Sequence, residues 1–190
     1  MYVWYLGSVG QDTRMVFFEY NGQKCTFAAM TSLAIIAFGS NLGDRKSNID
    51  EAIRLLGQIG EVREVSPLYE STSWGYSSSN DYVNGCLAIR TTLSSADLLL
   101  ALLRIEATMG RERSEDGYAD RIIDLDIIFY EDEVINEGEL ELPHPRMHLR
   151  NFVLLPLNDI APNWPHPKLK KTVNELLILS LDNSEPQPWS

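Results

Sequence analysis

Arg121-Ile122-Ile123-Asp124-Leu125-Asp126-Ile127-Ile128-Phe129-Tyr130 is dominated by Ile and Leu and holds neither Gly nor Pro. Such a run reads as a β-strand. Residues two apart in an extended chain share a face. Asp124 and Asp126 therefore point one way, and Ile123, Leu125 and Ile127 the other. Two carboxylates in an apolar strand repel each other and lose hydration. A divalent cation removes both costs, and Mg²⁺ is commonly held by one or two carboxylates plus phosphate oxygens. Arg121 at the mouth of the strand adds a fixed cation for the same phosphates. A bare Asp-x-Asp also fits a solvated strand face, so the neighbouring chain has to decide.

Upstream, residues 111–120 form a polar, glycine-containing loop with Arg111 and Arg113. It reads either as a mixed-charge surface loop or as a cover that excludes water from a nucleotide. Before it, Ser94-Ser-Ala-Asp97 resembles a capping box, and Leu98, Leu102, Ile105 and Met109 mark a core-facing helix stripe ended by Gly110. Glu106 lies one step off that stripe, within reach of a ligand. Residues 81–92 read as a strand on which Tyr82 and Asn84 share a face. Asn offers a paired donor and acceptor to a heterocycle edge, and Tyr can flank its ring; the pair equally well finishes an ordinary strand. Residues 71–80 form a loop carrying Trp74, Gly75 and Tyr76. Its exposed aromatics can stack on a flat ligand, or a Trp can plug the end of a core.

Further back, residues 62–70 form a strand that Pro67 restricts to an edge or bulge. Residues 33–38 are a buried strand. The following Gly39-Ser-Asn-Leu-Gly43 reads as a tight turn or a phosphate cradle, without the Gly-Lys of a P-loop. Asp44 then caps a helix whose apolar face is Ile49, Ala52, Ile53 and Leu56, with Gly57 and Gly60 ending it. Residues 1–30 suggest two strands, Met1–Leu6 and Met15–Tyr20, with a turn at Asn21-Gly22. They lack the basic start and long apolar run of a signal peptide, and Met30 offers an alternative start. Beyond Tyr130, a short returning strand runs through Val134, Ile135 and Leu140. Val153, Leu154, Leu157 and Ile160 form a helix ended by Pro162, and Thr172-Val-Asn-Glu175 caps a last one. The chain from Asp182 is expected to fray.

The 190 residues carry a formal charge of −11 and are 44% hydrophobic, an ordinary globular mix with a sizeable core. That charge disfavours nucleic acid and anionic membranes as partners. Cys25 and Cys86 are far apart and read as free thiols in a reducing compartment, the cytoplasm. No apolar run approaches about 18 residues.

From Leu33 to Tyr130 the order is β-α-β-β-α-β. This predicts an α+β, ferredoxin-like sandwich with additional C-terminal helices. Two helices cover one sheet face, leaving the other open for Asp124, Asp126, Tyr82 and Asn84. The expected division is residues 1–31 as an extension, 32–182 as the working domain and 183–190 as a tail.

Segments spread over residues 33–177 then resemble the 6-hydroxymethyl-7,8-dihydropterin pyrophosphokinase family of folate synthesis. They are Phe38-Gly-Ser-Asn-Leu-Gly43, Asp81-Tyr-Val-Asn84, Gly110-Arg-Glu-Arg113, Arg121-Ile-Ile-Asp-Leu-Asp-Ile127, Leu142-Pro-His-Pro-Arg146 and Leu149-Arg-Asn-Phe-Val-Leu-Leu-Pro-Leu157. The resemblance implies transfer of the pyrophosphoryl group of ATP to the pterin hydroxymethyl, leaving AMP. It implies two Mg²⁺ ions on Asp124 and Asp126, with Arg111, Arg121 and His144 at the reacting phosphates. Glu106, Arg113, Tyr118, Ile127 and Arg150 would complete the ATP site. Ser71, Thr72, Trp74, Tyr82, Asn84 and Phe152 would hold the pterin, with Tyr82 and Phe152 sandwiching its ring. A cytoplasmic monomer is implied, with ATP and the pterin as its partners.

The sequence departs from the family at Ala119-Asp120, where a small residue and Pro are usual before the Arg. Tyr118 stands where Trp is common. Four acidic residues share this loop with two Arg, which predicts a lid less attractive to triphosphate, and tighter ATP binding on Asp120→Pro. The rival reading is a non-catalytic ferredoxin-like module that senses a small molecule. It gives no reason for Asp-x-Asp beside Arg121 and His144.

Overall fold

A computed structural model describes the backbone of residues 4–8, 13–20, 23–111 and 119–189, and within those ranges the side chains from Met30 on. Strands β1 (Trp4–Ser8), β2 (Thr13–Tyr20) and β3 (Gln23–Met30) form an antiparallel three-stranded sheet. Only two strands were expected here. Gln23–Met30 is the third, pairing residue for residue with β2 from Thr13↔Met30 to Tyr20↔Gln23. The Asn21-Gly22 turn lies outside the described residues.

The main body starts with β4 (Ser32–Ser40), α1 (Arg45–Ile59), β5 (Glu61–Val65), β6 (Tyr69–Ser71), β7 (Tyr82–Thr91), α2 (Ser95–Thr108) and β8 (Asp124–Tyr130). A hairpin follows, β9 (Ile135–Glu137) with β10 (Leu140–Leu142), then α3 (Asn151–Ile160), α4 (Val173–Ile178) and β11 (Gln187–Pro188). The second sheet runs β11-β6-β7-β4-β8, with β5 also on β7, and every pairing is antiparallel. That is the predicted ferredoxin-like order. The expected strand over residues 62–70 is broken around Ser66-Pro67-Leu68 into two pieces on the same partner, as a missing N–H on an edge requires.

Helix caps follow the sequence. Asp44 accepts from the Ser47 N–H at 3.1 Å, Ser94 from the Asp97 N–H at 3.2 Å, and Thr172 with Glu175 closes a full capping box. Of the two glycines expected to end α1, the helix runs through Gly57 and stops at Gly60.

Strand alternation divides the core in two. Ala34, Ile36 and Phe38 of β4, Val83, Leu87 and Ile89 of β7, and Leu125 and Ile127 of β8 meet Ile49, Ala52 and Leu56 of α1 and Leu98, Leu102 and Ile105 of α2. Each such Leu or Ile contributes roughly 1.5–3 kcal/mol by leaving water. On the opposite face Ile35, Cys86, Ala88, Ile128 and Phe129 pack against Val153, Leu154 and Leu157 of α3 and Val173 and Leu176 of α4. The opposite face is therefore not open, as expected, but half covered by the C-terminal helices. What remains is the end where β4 carries Ala37 and Gly39.

Two further expectations are corrected. Strand β8 starts at Asp124 rather than Arg121, because the Arg121 N–H and C=O are taken by Asn41 of the loop after β4. The tail does not fray. Asp182 accepts from the Asn151 N–H at the start of α3 at 2.7 Å, Gln187 pairs with Glu70, and the Trp189 N–H donates to the Leu68 C=O at 2.9 Å. Among the described residues no helix is long and apolar enough to cross a membrane.

His166 is buried (4% exposed), with Nδ1 accepting from the Lys168 and Leu169 N–H groups and its ring edge-on to Phe129. Burial, then the nearby His148, pushes its pKa down to about 4. The unfolded chain then binds the extra proton below the ordinary value of about 6.5. Stability present above that value is lost as pH falls toward 4. The expected loss near pH 5 is on the order of 1–2 kcal/mol, read as a lower urea midpoint. His166→Asn keeps an acceptor and should shrink the loss without abolishing it, because His144 is also held neutral.

Candidate active site

Antiparallel register lays out the floor of the site. Gly39 of β4 pairs with Asn84 of β7 on one side and Asp124 of β8 on the other. One row along, Ala37 sits between Cys86 and Asp126. The smallest residues thus occupy the central strand, with carboxylates to one side and the amide to the other. A Cβ on Gly39 would come within 2.8 Å of Asn84 Oδ1, so the carboxamide lies over bare backbone. Above this floor is a cavity of about 370 Å³.

At its β8 end Arg111 and Arg121 approach Asp124 Oδ1 at 2.7 and 2.9 Å. The like charge of Asp124 and the enclosing walls act on Asp126. Burial first, then Asp124, pushes its carboxyl up to about 7. Asp126 nevertheless keeps 43% of its side chain exposed to the cavity, so a bound cation could reach it. Two carboxylates that share one strand face at the cavity fit a divalent cation. His144 hangs from the Ile128 C=O by its backbone N–H at 3.1 Å, and its Nδ1 accepts from the Arg146 N–H at 3.2 Å. Burial, then Arg150 and Arg146, hold its pKa near 4, so the ring is neutral at pH 7. With Nδ1 accepting, the proton sits on Nε2, 3.9 Å from Asp126 Oδ2. His144 is a hydrogen-bond donor to the cavity rather than a cation.

At the other end Tyr82, Trp74, Tyr76 and Phe152 supply rings and Ser71, Thr72 and Asn84 polar groups. Asn84 Nδ2 donates to Ser71 Oγ at 2.9 Å, which fixes the amide orientation. The Arg150 guanidinium lies between two rings, 4.5 Å from the Trp74 centroid and 5.6 Å from that of Phe152.

The family model described as 7,8-dihydro-6-hydroxymethylpterin-pyrophosphokinase matches residues 35–162 of this chain, which hold both ends of the cavity. The chain belongs to this pyrophosphokinase family. A relative from Synechocystis sp., named 2-amino-4-hydroxy-6-hydroxymethyldihydropteridine pyrophosphokinase, is 40% identical over 146 residues, covering 76% of this chain and 74% of its own. One of the same name from Aquifex aeolicus is 38% identical over 140 residues, covering 74% and 87%. The folic acid synthesis protein FOL1 of Dictyostelium discoideum is 41% identical, but this chain spans only 23% of it. Among solved structures, the Plasmodium falciparum HPPK-DHPS with pteroate aligns at a TM-score of 0.64 and 17% identity, over 78% of this chain and 44% of that one. That likeness concerns the fold.

Within this pyrophosphokinase-family site, most of the residues picked from sequence converge. Asp124, Asp126, Arg111, Arg121, His144 and Arg150 line the cavity, as do Ser71, Thr72, Trp74, Tyr82, Asn84 and Phe152. Two do not. Ile127 belongs to the helix-side core, because alternation turns it away from Asp126. Glu106 is only 2% exposed and faces the protein: its Oε1 accepts the Leu125 N–H at 2.8 Å and pairs with Arg111. Burial raises its pKa and Arg111 opposes the rise. Glu106 thus holds Arg111 rather than a nucleotide. Arg113 and Tyr118 lie outside the described residues. Arg150, expected on the nucleotide side, also reaches the ring end.

Tyr76, named in sequence only among the loop aromatics, and Arg146, given no role there, also line the cavity. Tyr76 is the second ring of the Trp74 loop, and Arg146 is two residues from His144, so both carried a usable signal. The phosphate-cradle reading of Gly39–Gly43 finds no support, since only Gly39 reaches the cavity. Asp120 directly precedes Arg121. Its carboxylate turns toward the Trp74 loop, and hydrogen bonds led by Ser78, then Asn80, Asn41 and Tyr76, hold its pKa near 2.

Proposed function

We propose that the chain transfers the terminal pyrophosphoryl group of ATP to the hydroxymethyl of 6-hydroxymethyl-7,8-dihydropterin, releasing AMP, in folate synthesis. One observation carries this reading: a single cavity presents paired carboxylates with Arg at one end and rings with an oriented amide at the other, separated by one bare glycine. A charged donor and a flat acceptor can then lie in line across Gly39.

Asp124 and Asp126 would hold Mg²⁺ with ATP. The ions supply charge neutralisation along the triphosphate when bound. Arg111 and Arg121, both resting on Asp124, are placed to turn to phosphate oxygens once that carboxylate is engaged elsewhere. Glu106 keeps Arg111 at the site. The His144 Nε2–H would donate to a phosphate oxygen. Asn84 would read the pterin edge between Tyr82 and Phe152, with Trp74 and Arg150 closing that end. The pterin oxygen would bond to the β-phosphorus as the bond to the α–β bridging oxygen breaks. No covalent enzyme intermediate is required, and catalysis would be positioning and electrostatics.

The test is chromatography of nucleotides after mixing the chain with ATP, Mg²⁺ and the pterin. Pterin-dependent AMP is expected. ADP in its place would mean ordinary kinase chemistry.

A further inference from the structure

The side chain of Asp120 is joined to groups from two loops, Ser78 among them. Its Oδ1 accepts from Asn41 Nδ2 at 2.7 Å and from the Tyr76 hydroxyl at 3.1 Å, and its Oδ2 accepts from Asn80 Nδ2 at 2.6 Å. Asn80 and Tyr76 belong to the loop that carries Trp74 over the cavity. Asn41 in turn accepts from the Arg121 N–H at 2.7 Å through its own Oδ1. Tyr76 has one hydroxyl proton, and it goes to Asp120. The Tyr82 hydroxyl, 2.7 Å from that of Tyr76, is therefore the donor in that pair. A directed chain of hydrogen bonds runs Tyr82 to Tyr76 to Asp120, and it fixes a ring that lines the cavity.

We propose that Asp120 is a positioning residue that latches the 72–80 loop over the acceptor end of the cavity and aligns Tyr82 through Tyr76. A carboxylate is suited to this task because it accepts at both oxygens, and charge-assisted bonds are the stronger kind. The same bonds hold its carboxylate against the 72–80 loop. The latch acts on the aromatic end, while the Arg121 side chain is held separately by the Ala119 C=O at 3.0 Å and Asp124 Oδ1 at 2.9 Å. The inference rests on the proposed reaction for its meaning, but the latch can be measured without turnover.

Hydrogen–deuterium exchange of the full chain without substrates, wild type against Asp120→Ala, reads the loop directly. Exchange over residues 72–80 is expected to quicken about tenfold while β4 and β7 are unchanged. In steady state the pterin KM should rise about tenfold with the ATP KM unmoved. Asp120→Asn, which retains one acceptor oxygen, should fall between, and Tyr76→Phe should give a smaller effect that adds little to Asp120→Ala. Unchanged exchange in the loop overturns the latch. So does an ATP KM that falls while the pterin KM stays, which would restore the repulsive role. If the wild type releases no AMP, the reaction fails and the exchange result alone decides the latch.

Discussion

Asp126→Ala is expected to lower pterin-dependent AMP release about a thousandfold or more, with the fold intact. Asp126 sits beside Ala37 on the cavity side of β8, its carboxyl is pushed up to about 7 by burial and by Asp124, and the side chain stays 43% open to the cavity. A group so placed makes the empty protein no more stable. Its natural use is to meet a cation that relieves the repulsion. Removing it leaves Asp124 still paired with Arg111 and Arg121, so those cations lose their reason to turn to phosphate. Steady-state AMP release and a urea midpoint together check the claim. The midpoint should hold or rise while activity collapses. Retained activity would remove Asp126 from the site.

The second large effect is expected at Asn84. Asn84→Ala should raise the pterin KM about a hundredfold while the ATP KM stays within twofold, because a site built on oriented amide groups leaves ligand atoms unpaired when the amide goes. Asn84 is 5% exposed, lies over Gly39 and is oriented by Ser71 Oγ. Its donor and acceptor thus have fixed directions before any ligand arrives, which is why the loss should fall on acceptor binding. Fluorescence titration with the pterin alone gives the same quantity without turnover. An unchanged affinity would put the hydrogen-bonding edge elsewhere.

Much of this was legible because two simple periods apply. Alternation along residues 123–127 placed Asp124 and Asp126 on the cavity face and Ile123, Leu125 and Ile127 in the helix-side core, and it breaks only at Ile128-Phe129, where the pairing with β4 shifts register. The same period would have kept Ile127 out of the nucleotide site. Helical spacing found the buried faces of α1 and α2. What escaped depends on long-range partners. The docking of the tail needs Leu68, more than a hundred residues from Trp189, and Asn151, 31 residues from Asp182. The covering of the second sheet face follows from where α3 lands, which composition does not specify. Asp120 is the sharpest case. By sequence it is one of several acids in a loop facing triphosphate. In the fold its carboxylate bonds to Asn41, Tyr76 and Asn80, partners that no local pattern announces.

In the proposed reaction the site moves a whole pyrophosphoryl group. ATP labelled at the β-phosphorus, incubated with the pterin, Mg²⁺ and the wild-type chain, tests it most directly. The label is expected to leave with the pterin, and the nucleotide product to be unlabelled AMP. Label retained in ADP, with only the γ-phosphoryl on the pterin, would contradict it.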